Sequence, residues 1–154
     1  MPEKQFVRFD MLLPPEMAEK AAQAGIKKVQ IDIFSMLLMS MLAGIFIAMA
    51  ANFYTVALSG GAMLPFGIKK LIGGLVFCLG LILVVIAGAE LFTGNNLIVM
   101  AVLSKKVGKR WLLRNWLIVF VGNFIGSVLY ALMVWGSGQD GFAGGAVGDL
   151  AVKI

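Results

Sequence analysis

From Ile33 to Ile68 the chain carries no charged residue, and from Leu71 to Leu103 it carries one, Glu90. A third apolar run extends from about Asn115 to Trp135. Roughly twenty consecutive apolar residues cross the hydrocarbon of a bilayer as a helix. The pattern therefore predicts a transmembrane domain over 33–154, with spans at about 33–58, 71–103 and 115–135. Ser59, Gly60, Gly61 and Pro65 mark the turn after the first span. Ahead of the spans, residues 1–32 read as a cytoplasmic amphipathic tail of mixed charge. Pro15 suits the first turn of a helix over Glu16 to about Ala24, and Gly25 is expected to stop it. That helix reads as lying on the membrane surface, with a gating role as the alternative. Beyond the third span, Gly136 to Gly148 reads as a glycine-rich loop.

The second run is too long for one straight crossing, because 71–103 would reach about 50 Å at 1.5 Å per residue. Its middle reads Ala87-Gly88-Ala89-Glu90-Leu91-Phe92-Thr93-Gly94-Asn95-Asn96. Gly, Thr and Asn weaken a helix. The expectation is a helix to about Gly88, an unwound segment near 88–95, and a second helix from Asn95 or Asn96. Irregular backbone at this depth is tolerated only where protein or a water-filled cavity covers it. A span broken at mid-membrane is the usual pointer to a substrate site. Unwinding frees backbone amides, and the following half-helix presents the positive end of its dipole. That environment suits a small anion. Thr93 offers it a hydroxyl donor; the alternative for Thr93 is a local bond to the backbone. Glu90, an intramembrane carboxylate, is a functional candidate by position. Its negative charge opposes an anion, so it is expected to accept bonds from freed amides and hold the loop. Gly88, Gly94 and Asn95 are the other expected loop supports.

Composition agrees with lipid as the solvent. Of the 154 residues, 60% are hydrophobic and 14% charged, and the mean hydropathy is +0.95. Soluble domains carry roughly 25% charged residues. The formal net charge of +5 is spread over tail and loops, which reads as orientation and not as a nucleic-acid surface. Lys4, Arg8, Lys20, Lys27 and Lys28 precede the first span, and Lys69 and Lys70 follow it. Lys105, Lys106, Lys109, Arg110 and Arg114 follow the second, and only Lys153 follows the third. This asymmetry predicts a multi-pass protein of the cytoplasmic membrane with its N-terminus and second loop in the cytoplasm. Three spans leave the C-terminus outside, and the chain reads as part of a longer one. There is no histidine, and Cys78 is the single cysteine, so paired-cysteine metal sites and the usual axial ligands of haem are missing. No cofactor, no metal and no enzymatic chemistry are expected.

The segment Gly88-Ala89-Glu90-Leu91-Phe92-Thr93-Gly94-Asn95 inside an apolar run resembles the formate/nitrite transporter family, nearest to its formate channels. Supporting stretches are Leu13-Pro14-Pro15-Glu16-Met17, Ala43-Gly44, Met63-Leu64-Pro65-Phe66-Gly67, Gly73-Gly74, Phe77 to Leu81, Asn115-Trp116 and Gly122 to Gly126. The resemblance covers nearly the whole chain. It implies an all-α transmembrane fold, of which this chain is the N-terminal, three-span half of an aquaporin-like six-span inverted-repeat channel. It implies a homopentamer in the lipid bilayer with one pore per protomer. The substrate would be formate, nitrite, hydrosulfide or a short monocarboxylate. It places Leu91 and Phe92 at an inner constriction and Phe77 and Leu81 at an outer one. The latter two share a helix face at i, i+4, and an apolar collar favours a small weak acid or a partly dehydrated anion. The family's central histidine belongs to a fifth span and has no counterpart here.

Gly122 with Gly126, and Gly44 with Ala48, read as close helix packing, with Asn123 able to hydrogen-bond across it. Two other classes compete. A neutral-solute facilitator of the aquaporin type would carry an Asn-Pro-Ala box, where this chain has Gly94-Asn95-Asn96. A membrane-anchor subunit of a redox complex would be expected to carry the histidines or cysteine pairs that this chain lacks.

Overall fold

The computed structural model describes residues 13–60 and 64–154. The expectations for residues 1–12, Gly61 and Met63 lie outside these. The described elements are helical: α1 Pro14–Gln30, α2 Ile33–Leu58, α3 Phe66–Ala87, α4 Phe92–Asn95, α5 Ile98–Leu103, α6 Lys109–Gly136, a 3-10 turn Gln139–Gly145, and α7 Ala146–Lys153. Helices α2, α3 and α6 are each long and apolar enough to cross a membrane. The second span is interrupted between α3 and α4, and α4–α5 complete it as short pieces.

Helix α2 is the centre of the fold, with α3 and α6 packed on its two flanks. Gly73 lies against Tyr54 and Gly80 against Ala50, so α3 runs antiparallel to α2. Asn115 lies by Met36, Ser127 by Gly44 and Tyr130 by Asn52, so α6 runs parallel to it. Asp32 caps α2 by accepting the Ser35 N–H at 2.9 Å, which satisfies one of the orphan amides of the first turn. That bond holds the Asp32 carboxyl below its usual range.

Several boundaries differ from the sequence expectation. Helix α3 starts at Phe66, directly behind Pro65 and ahead of Leu71, and the chain is helical again from Phe92, so the interruption covers 88–91 and not 88–95, and the second helix does not wait for Asn95 or Asn96. Three more differ for physical reasons. Helix α1 does not stop at Gly25. It continues to Gln30, because Gly25 is a crossing point where a Cβ would come within 3.0 Å of the Ile98 Cα and 3.2 Å of the Ala101 Cβ. Helix α6 starts at Lys109, behind Gly108, ahead of the apolar run, since Lys and Arg are good helix formers. The segment after Gly136 is not a plain loop. Positive φ at Gly138, Gly144 and Gly145 supplies its bends, Asn52 donates to the Gln139 side chain at 2.9 Å, and α7 buries Val147.

At the end of the bundle that carries α1, Glu19 pairs with Lys106. The hydrogen bond from Lys106 is the main reason the Glu19 carboxyl titrates below its usual range. A lowered carboxyl contributes above its unfolded pKa and loses that contribution as pH falls through the folded value.

The α2–α6 contact is made by glycines. A Cβ at Gly44 would overlap the Asn123 backbone carbonyl, one at Gly122 the Ser40 side chain, and one at Gly126 the Met41 carbonyl. Small residues at such positions let two backbones touch. Gly44→Ala should therefore force the helices apart and lower stability by about 1–3 kcal/mol. Gly74→Ala, whose Cβ would meet nothing within 4 Å, should be near neutral. Thermal midpoints of the two purified variants check this, and equal midpoints would refute the contact.

Candidate functional site

Helix α3 ends in a Schellman turn. Gly88 adopts φ +64°, ψ 27°, a left-handed conformation that glycine takes without steric cost. Its N–H donates to Val85 O at 3.3 Å, and the Ala89 N–H donates to Val84 O at 3.0 Å. Ala89 and Val84 also meet in a buried cluster with Ala43, the apolar contact that accompanies this motif. The chain then runs extended, with Leu91 at φ -97°, ψ 132°.

The backbone groups freed by this break find partners on α2 and α6. The Glu90 N–H donates to Met39 O on α2 at 3.2 Å. The side-chain amide of Asn123, on α6, takes two more. Its Oδ1 accepts the Phe92 N–H at 2.9 Å. Its Nδ2 donates to Glu90 O at 2.9 Å and to Ser40 O at 2.8 Å. One amide thus bridges both sides of the interruption and ties it to α2, filling both donor positions and one acceptor position.

The Glu90 side chain points into a second network and is buried, at 4% exposure. Its Oε1 accepts from Lys28 Nζ of α1 at 2.7 Å, and its Oε2 from Asn95 Nδ2 at 2.7 Å. Asn95 Nδ2 also donates to Asn115 Oδ1 at 2.8 Å. Asn115 in turn donates to Lys28 O at 3.4 Å. Trp116 Nε1 donates to Asn95 O at 3.4 Å, so this indole holds α4. The expected amide donors to the Glu90 carboxylate are replaced by the ammonium and the amide side chain. The Phe92 and Glu90 backbone amides are already taken by Asn123 and Met39.

The remaining residues singled out from the sequence fall into separate places. Leu91 packs against the Ala43, Val84 and Ala89 cluster. Phe92 meets Phe120 edge-on at 5.7 Å and Trp116 at 6.0 Å. Thr93 is exposed, and among the described residues its hydroxyl has no protein partner; the local backbone bond considered for it is not formed. Gly94 is exposed, and a Cβ there would meet nothing within 4 Å. Phe77 helps line a groove of about 820 Å³ that lies over α2 between α3 and α6, together with Ala48, Asn52, Tyr130 and Ala151. Leu81, one turn further, is 49% exposed and does not line that groove. Leu91 and Phe92 do not line the groove that Phe77 lines.

In the sequence Lys28 reads only as a tail charge, and Asn115 as the start of the third span and part of the family pattern. A buried carboxylate requires a cation, and the α1 lysines are the basic residues nearest the first span. That signal calls for a cation but does not single out Lys28 among the lysines that flank the spans.

The pattern that defines the formate/nitrite transporter family matches residues 15–154, and the chain belongs to that family. It is 43% identical over 140 residues to the formate channel FocA of Escherichia coli (strain K12), covering 91% of this chain and 49% of the relative. It is 38% identical over 146 residues to the formate channel FocA of Haemophilus influenzae, covering 95% and 51%. A solved pentameric formate channel with formate bound superposes with a TM-score of 0.69 at 39% identity, over 77% of this chain and 47% of that one. The chain spans about half the length of the curated relatives it matches. Family members are transporters.

The Lys28–Glu90 pair yields a direct test. Lys28→Met should leave a buried, uncompensated carboxylate and cost about 3–5 kcal/mol. Adding Glu90→Gln should recover most of that loss, because the charge disappears while Asn95 keeps an acceptor. Denaturation midpoints of the wild type, both single variants and the double variant form the cycle. Additive losses would show that the two side chains do not interact.

Proposed function

We propose that this chain forms one wall of a membrane path for formate or a similar small monovalent anion, within a homopentamer of the cytoplasmic membrane. The observation that carries the reading is the division of labour at the break. Glu90 is neutralised inside the protein by Lys28, whereas Thr93, three residues on, is exposed with its hydroxyl unspent. A negative charge is thereby withdrawn and a donor left facing outward, as an anion requires. Thr93 donates to the anion. Leu91 and Phe92 form the inner apolar constriction, and Phe77 and Leu81 the outer one, which strips hydration water from whatever passes. Glu90, Gly88, Gly94 and Asn95 support the loop. The two FocA relatives are named formate channels, and the superposed pentameric channel holds formate, which supports the substrate class.

The groove over α2 is the seat for a second, inverted three-span half. The N-terminus and the loop before α6 face the cytoplasm. Helix α1 and that loop sit at one end of the bundle, joined by Glu19–Lys106, and among the described residues that end holds most of the basic ones, as the positive-inside rule requires.

Substitution of Thr93 tests the site. Thr93→Ser keeps the hydroxyl and should retain most formate flux. Thr93→Val should fold normally, because the hydroxyl has no protein partner to lose, but should bind formate roughly 10- to 150-fold more weakly, the loss of one hydrogen bond to a charged group. Flux in liposomes and thermal midpoint are measured on the same full-length variants. A Val variant that transports like the wild type removes Thr93 from the path.

A further inference from the structure

A second cavity, of about 490 Å³, opens where the turn between α1 and α2 meets the start of α6. Gln30 and Asp32 form one wall, and Lys106, Gly108, Trp111 and Arg114 the other. The path through the break uses none of them. Arg114 donates to Val29 O at 3.3 Å and to Ile31 O at 3.5 Å, and its guanidinium lies 5.1 Å from the centre of the Trp111 ring. These contacts orient its charge without neutralising it. Asp32, the acid in the wall, is already engaged in capping α2 through Ser35. No side chain caps α6 at Gly108, so the first turn adds backbone donors to the same side.

The surrounding charge is one-sided. Lys105, Lys106, Lys109, Arg110 and Arg114 lie within ten residues, and no Asp or Glu occurs between Glu90 and Asp140. Of these, Lys106 and Arg114 line the cavity opposite Asp32. Lys106 is paired with Glu19 and Asp32 caps α2, so Arg114 is the unspent charge in the wall, and Lys109 and Arg110 at the start of α6 adjoin it in sequence. The position is the start of two membrane-crossing helices, α2 and α6, with a half-exposed Trp111, the level at which indoles meet lipid headgroups. Above the cavity the surface turns apolar. Val121 and Ile125 follow Arg114 at i+7 and i+11 on α6 and are exposed, as are Leu38 and Leu42 on α2. A soluble anion would use the charges and leave these side chains idle. A lipid uses both.

We propose that this cavity is a binding site for an anionic phospholipid. Its phosphate sits among Lys106, Arg114 and the α6 start, and an acyl chain lies along Val121 and Ile125. Basic pockets between transmembrane helices are suited to such headgroups.

The test is lipid titration of the purified full-length protein by native mass spectrometry, with phosphatidylglycerol and with phosphatidylcholine of the same chains. The wild type should bind phosphatidylglycerol at least tenfold more tightly. The double variant K109Q/R110Q leaves Arg114 and the Glu19–Lys106 pair in place. It should weaken phosphatidylglycerol about 25-fold, at roughly fivefold per charge, without changing phosphatidylcholine. Phosphatidylglycerol with brominated acyl chains should quench the wild type more than W111F. Equal affinity for the two lipids in the wild type would overturn the proposal, even if the double variant does not fold. Displacement of phosphatidylglycerol by millimolar inorganic phosphate would also overturn it, since the site would then belong to a free anion.

Discussion

A chain that leaves the helical conformation inside a bilayer must find a partner for every backbone group it frees. Here most of that requirement falls on one side chain. The carboxamide of Asn123 has the donors and acceptor of a peptide unit, and it sits where the missing helical bonds would be. It takes the Phe92 N–H on one side of the break and the Glu90 carbonyl on the other. Its second N–H reaches the Ser40 carbonyl, so the break is fastened to α2 as well as to α6. This geometry depends on distance. Asn123 comes close enough only because Gly44, Gly122 and Gly126 let the two backbones touch. The glycine contact, the asparagine clamp and the shape of the break form one chain of causes.

The second consequence concerns charge. Once the amides are engaged elsewhere, the Glu90 carboxylate needs another counterpart, and Lys28 provides it from α1. A buried ion pair adds little net stability relative to an apolar replacement. What it does here is fix positions, because Asn95 and Asn115 complete a hydrogen-bonded path from the break to the tail helix and the base of α6. Helix α1 is thereby a structural part of the membrane domain, held also by the Gly25 crossing on α5. The face of α4 that bears Thr93 takes no part in this network, and that separation of scaffold from open surface is what makes the proposed anion path chemically coherent.

Much of the fold was legible from periodicity alone. The absence of charge from Ile33 to Ile68 and the excess length of 71–103 require spans and an interruption on physical grounds. Gly88 could be recognised as an end, since a left-handed residue is the simplest way to stop a helix. Gly25 was misleading, because a glycine permits close approach as readily as termination, and only the partner, Ile98 on α5, decides which. Glu90 was correctly singled out, yet its partners were not legible. Lys28 lies 62 positions away, and no spacing rule links a tail lysine to a mid-span acid. Asn123 could be read only as a residue able to bond across a helix contact. That it bonds to the break follows from the parallel course of α6 along α2, a tertiary fact. Phe77 and Leu81 show the limit of reading faces, since one turn separates a groove-lining side chain from one outside it.

The clamp is tested most directly by amide hydrogen exchange at the break, comparing the full-length wild type with Asn123→Ala in the same bilayer mimetic. In the wild type the Phe92 amide should be strongly protected, because it donates to a half-buried side chain. In the variant its protection should fall by at least tenfold, as the loss of a hydrogen bond worth about 1.5 kcal/mol implies. Amides in the middle of α3 and α6 should keep their wild-type protection. Unchanged protection at Phe92 would mean that Asn123 does not hold the break.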